Sequence, residues 1–132
     1  MGNDRFDRRR LRLHPLSERQ NKVHIERDAI DPDTPIEPLP NGTEEKTLRL
    51  VDHLVAARDA GAARILAFGA HTIKNGLAPV LQRLIEGGWI THLATNGAGI
   101  IHDWEVVYQG MSNDDLRADV AQGRFGIWYE AG

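Results

Sequence analysis

The residues best suited to chemistry in this chain are His102 and Asp103, set just behind Thr95-Asn96-Gly97-Ala98-Gly99. An imidazole titrates near neutrality, so His102 can take or give a proton. Asp103 beside it can fix the ring's orientation or bind an amine. Asn96 to Gly99 strips away most side-chain bulk immediately before them. Bare backbone lets a ligand approach closely, and a helix starting there points unpaired N–H groups at the same place. A phosphate or pyrophosphate suits such a turn. The stretch Gly69-Ala70-His71-Thr72-Ile73-Lys74-Asn75-Gly76 has a similar character, with Lys74 and Asn75 adding charge and hydrogen bonds.

Neither stretch is a complete fingerprint. The later one has a GxG but no third glycine at dinucleotide spacing, and the earlier one lacks G-x-x-x-x-G-K-[ST]. A plainer reading also stands: the glycines only permit tight turns, and His102 and Asp103 cap a helix and complement its dipole. His71 and His102 with Asp103 form the best metal combination, but no HExxH pair accompanies them, and a metal site is not expected. His14, His24 and His53 read as surface or packing residues, and His92 lies within a strand.

The elements that position these residues follow from periodicity. Leu48, Val51, Leu54 and Val55 are spaced as a helical stripe, so a helix is predicted from Thr43, as cap, to about Arg58. Asp59-Ala60-Gly61 ends it. Arg64 to Ala70 is a nearly continuous apolar run, predicted to be a strand buried on both faces. His71 to Gly76 reads as a polar turn. Leu77, Val80, Leu81, Leu84 and Ile85 stripe the next helix, where Pro79 is tolerated in the first turn, and Gly87-Gly88 stops it. Trp89 to Thr95 is a second strand. A helix striped by Ile100, Trp104, Val107 and Tyr108 follows. Ser112, with Asp115 three residues on, reads as a capping box for a last short helix ending near Gly123. Phe125 to Tyr129 fits either strand or helix.

Residues 1–42 differ in kind. They hold five of the chain's six prolines, and Asp31 to Pro40 can be neither helix nor central strand. We read 1–42 as an extended N-terminal arm and 43–132 as an α/β domain. Arg8-Arg9-Arg10-Leu11-Arg12 has the charge to grip phosphates or RNA, but Asp4, Asp7, Glu18 and Glu26 dilute it, which favours a solvated arm. Asn41-Gly42-Thr43 matches a glycosylation sequon and is read as a turn with a helix cap. A strand–helix–strand unit implies parallel strands joined by a right-handed crossover. Two strands make too small a sheet, so the domain is expected to be partial, completed by further chain or by partners.

Composition narrows the classes. The 132 residues suffice for one domain, with 41% hydrophobic and 27% charged residues. A formal net charge of -3 supplies no overall attraction to nucleic acid or an anionic membrane, and neither is an expected partner. The absence of cysteine excludes disulfides, cysteine-held zinc and thiol catalysis, and fits a reducing, cytoplasmic setting. No secretory h-region or bilayer-length apolar segment is evident.

Taken together, Phe68 to Leu77 and Leu93 to Asp103 resemble the deoxyhypusine synthase family, in particular its bacterial deoxyhypusine synthase-like branch. The resemblance covers roughly residues 62–110, and His14-Pro15-Leu16-Ser17-Glu18-Arg19-Gln20-Asn21-Lys22-Val23 resembles the branch's N-terminal segment. It implies a Rossmann-like parallel sheet with flanking helices that binds NAD, in a homotetramer with sites between subunits. It implies an NAD-dependent transferase that oxidises a polyamine and passes its aminobutyl group to an amine acceptor through a lysine. On this likeness Ala70, His71, Thr72, Ile73 and Lys74, with Thr95, Asn96 and Gly97, contact NAD; the bare turn adds Ala98 and Gly99 to the expected cofactor contacts, and His102 and Asp103 are the catalytic candidates by their own chemistry. Two features depart from the family. Its paired glutamates are replaced by Ile101-His102, which weakens ammonium binding. Its nucleophilic lysine belongs to a C-terminal half that is missing here, and Lys22, Lys46 and Lys74 lie outside that motif. The alternative is a non-catalytic nucleotide- or metabolite-binding module.

Overall fold

A computed structural model describes residues 7–40 and 42–131. The start of the expected arm, with Asp4, and Asn41 of the sequon lie outside the described residues. The elements in chain order are β1 (Asn21–His24), α1 (Ile25–Asp28), α2 (Thr43–Asp59), β2 (Ile65–Phe68), α3 (Ala70–Lys74), α4 (Ala78–Glu86), β3 (His92–Thr95), α5 (Gly97–Gln109), β4 (Met111–Asp114) and α6 (Leu116–Ala121). Single 3-10 turns occupy Arg8–Arg10 and Leu16–Glu18. The architecture is α/β, with one parallel and one antiparallel strand pair.

β2 and β3 pair in parallel, Ile65 opposite His92 through Phe68 opposite Thr95, as the strand–helix–strand pattern predicts. Their ends therefore share one rim. The expectation that β2 is buried on both faces is not met: Ile65 is 66% exposed and every residue of β3 is exposed. Among the described residues neither strand has a second neighbour. The first helix runs as predicted, except that Gly42 rather than Thr43 takes the cap position. Its stripe of Leu48, Val51 and Val55 also faces outward. Arg64 ties this helix to the sheet, donating to the carbonyls of Ala57, Ala62 and Trp89. Arg58 lies over the Trp89 ring at 4.3 Å.

The second pair joins regions that the sequence sets apart. β1 runs antiparallel to β4, with Val23 opposite Ser112. Part of the expected arm is thus a strand. Leu16 is fully buried, Val23 and Arg19 nearly so, and His14 bridges the backbone of Trp128. The reason is long-range: a few apolar side chains and one arginine of a proline-rich segment find partners around residues 105–128. Asp31 to Pro40 remains outside helix and strand, as predicted, apart from a turn held by Thr34 N–H on the Asp31 carbonyl. The expected capping box at Ser112 is replaced by a nearby arrangement. Ser112 belongs to β4, and the Asp115 carboxylate caps α6 by accepting from the N–H groups of Arg117 and Ala118. Phe125 to Tyr129 lies in turns plus the His14 bridge. No described helix is long and apolar enough to cross a membrane.

Candidate functional site

The bare run after β3 is not a loop. Asn96 caps α5, its side chain accepting from the N–H of Gly99, and Gly97-Ala98-Gly99 form the first helical turn. The two glycines differ. A Cβ at Gly99 would collide with the Thr95 hydroxyl, whereas one at Gly97 meets nothing within 4 Å. Close packing onto the end of β3 therefore requires Gly99, and Gly97 is free for another purpose. The expected polar turn from His71 is likewise a short helix, α3, capped by Gly69. A Cβ on Gly69 would lie 3.6 Å from the Asn96 amide nitrogen, so the two strand-to-helix junctions are neighbours on one rim.

The predicted site residues separate into four groups. Ala70, Thr72, Thr95, Asn96, Gly97 and Ala98 belong to the rim, with His71 exposed beside them. Ile73 and Gly99 are buried in packing. Asp103 borders an apolar hollow of about 260 Å³ with Phe68, Ile73, Leu81 and Ile100. Lys74 and His102 line a different cavity of about 300 Å³ with Arg19, Glu105, Asp114, Phe125 and Trp128. Asp103 therefore does not orient His102. Among the described residues no three His, Asp or Glu side chains converge as metal ligands.

The acid beside His102 is Glu105, one helical turn on, where i and i+3 share a face. Gly110 takes a left-handed conformation, φ 71°, and reverses the chain into β4, which brings Ser112 back over α5. His102 Nδ1 lies 2.6 Å from Ser112 Oγ, and the Ser112 hydroxyl donates to Glu105 Oε2 at 2.5 Å. Arg19 Nη1 donates to Glu105 Oε1 at 2.6 Å and lies 2.9 Å from Asp114 Oδ1. Arg19 Nε donates to Asn21, and the Trp128 indole N–H donates to Asp114 Oδ2. The Arg19 side chain is 1% exposed. So the inward face of α5 is polar, while its predicted apolar stripe of Ile100, Trp104, Val107 and Tyr108 faces out, with Trp104 stacked on Tyr108 at 4.9 Å. Sequence reasoning missed Arg19, Ser112, Asp114 and Trp128. The one legible signal was Glu105, three residues after His102.

Burial lowers the His102 pKa against the pull of Glu105, so the ring is neutral at neutral pH. Burial by itself would raise the Glu105 carboxyl, but the hydrogen bonds from Arg19 and Ser112 outweigh it and hold it below the ordinary range. Both shifts act on stability in the same direction. The unfolded chain binds a proton at His102 more readily than the folded one, so stability is complete above about pH 6.5 and falls as pH drops through that value. Below about pH 4.3, protonation of Glu105 removes more. Urea midpoints measured from pH 8 to 3 are expected to decline in these two windows. His102→Gln should flatten the upper one.

No protein-family model, curated protein or solved structure matches this chain.

Proposed function

We propose that this chain contributes the NAD-binding part of a deoxyhypusine synthase-like transferase that moves an aminobutyl-type group between amines, on a Rossmann-like fold. One observation carries the reading: parallel β2 and β3 deliver the starts of α3 and α5 side by side at their shared carboxyl rim. In open α/β sheets this is where ligands sit. The first N–H groups of α5, with only that of Gly99 capped by Asn96, suit a pyrophosphate at Gly97 and Ala98. Ala70, His71, Thr72 and Asn96 would flank the cofactor. Bound there, NAD would supply hydride-acceptor chemistry, and His102, neutral and at the edge of the cavity it shares with Lys74, would accept the accompanying proton. The outward apolar residues of α2, β2 and β3 support burial against further chain or other subunits, in keeping with a homotetramer.

The test is thermal unfolding with and without NAD. A concentration-dependent rise in Tm is expected. Gly97→Leu is expected to abolish that rise while leaving the unliganded Tm nearly unchanged, because the space beside Gly97 is open. A flat response to NAD in the parent protein would overturn the proposal.

A further inference from the structure

The hydrogen-bond chain behind His102 has a direction that its chemistry dictates. Glu105 is ionised and can only accept, so the single Ser112 hydroxyl proton points at Glu105 Oε2. Ser112 Oγ then faces His102 Nδ1 with a lone pair, and the 2.6 Å contact is a hydrogen bond only if Nδ1 carries the proton. A neutral imidazole has one N–H. The other ring nitrogen, Nε2, is therefore left as a free lone pair on a ring that borders the cavity shared with Lys74 and Phe125. We propose that Ser112 and Glu105 are positioning residues that hold His102 in its Nδ1–H form, making Nε2 the proton acceptor of the site.

This inference rests on the reading of His102 as a base, and adds how that base is oriented and charged. When Nε2 takes a proton, a ligand N–H, O–H or C–H bond breaks, its electron pair stays with the ligand, and an Nε2–H bond forms. The resulting imidazolium finds Glu105 Oε2 3.4 Å from Nδ1, with Ser112 between as relay. Arg19, fixed on Glu105 Oε1 and Asp114, keeps that carboxylate ionised and stationary. His102 is 17% exposed and Ser112 is fully buried, so solvent competes little for either hydrogen bond. The other charged groups facing the ring are Lys74 and Arg19, both of which oppose its protonation.

Long-range proton–nitrogen spectra of the ring nitrogens decide the matter without any ligand. His102 is assigned by the loss of its signals in His102→Gln. In the parent protein at pH 8, Nδ1 should have the protonated-nitrogen shift and Nε2 the unprotonated one. Glu105→Gln should exchange them. Arg19 requires an acceptor at the Oε1 position, so the amide NH2 falls opposite Ser112 and donates to it. The hydroxyl then turns to donate to Nδ1, and the ring proton moves to Nε2. The same substitution removes the counter-charge, so the His102 titration midpoint should move lower still. An Nε2–H ring in the parent protein would overturn the inference, as would an unchanged tautomer in a folded Glu105→Gln protein. If Glu105→Gln does not fold, the parent spectrum alone decides. NAD enters neither measurement, so this result and the NAD melting result fail independently.

Discussion

Arg19→Ala is expected to cost about 3–5 kcal/mol of folding stability, because removing one partner of a buried ionic cluster leaves the others uncompensated. Arg19 is the only cation in hydrogen-bond or ion-pair contact with the Glu105 carboxylate among the described residues; His102, 3.4 Å away, is neutral at neutral pH. It also pairs with Asp114 and donates to Asn21. Its loss strands two carboxylates and releases the junction that leads into β1. A domain's whole stability is about 5–15 kcal/mol, so the effect is a large fraction of the total. Urea unfolding at pH 7 measures it. Arg19→Lys should recover only part, since an ammonium cannot span Glu105, Asp114 and Asn21 with the fixed geometry of a guanidinium. A loss below 1 kcal/mol for Arg19→Ala would show that the cluster does not hold the N-terminal segment in place.

Trp128→Ala is expected to cost a similar amount, about 3–5 kcal/mol, by opening a cavity where a fully packed indole stood. Trp128 is buried, it lies edge-on to His14, and the Arg19 guanidinium is 5.9 Å from its ring. Its N–H is a hydrogen-bond donor to Asp114. Trp128→Phe separates the contributions: it keeps most of the apolar volume but removes that donor, and should cost about 1–3 kcal/mol. Calorimetric or urea unfolding of both variants checks the order. Near-equal losses would mean that the hydrogen bond outweighs the packing. The Arg19 and Trp128 losses should not add, because the two side chains touch the same carboxylate.

The site differs from the one the sequence suggests in a way that has a physical cause. Periodicity locates α5 and places Ile100, Trp104, Val107 and Tyr108 on one face, but it cannot say which face turns inward. Here the face bearing His102 and Glu105 packs against β4, because Arg19 supplies a counter-charge that lies 86 residues away in sequence. Asp103 looked like the natural companion of His102 because it is adjacent. Adjacent residues on a helix point about 100° apart, so adjacency argued against the pairing. Ser112 looked like a cap because capping is local chemistry, while its role in β4 depends on a strand from the other end of the chain.

What the sequence determined by itself is what depends on near neighbours: α2 and α4, β2 and β3 and their parallel pairing, the proline-rich stretch without helix or strand, and the glycine-lined start of α5. Each follows from side-chain period, capping or backbone restriction within a few residues. Only the tertiary structure decided the β1–β4 pairing, the burial of Leu16 and Arg19, and the division of His102 and Asp103 between two cavities. Those depend on charges and strands brought together across most of the chain, and no local pattern encodes which distant partner a buried carboxylate will find.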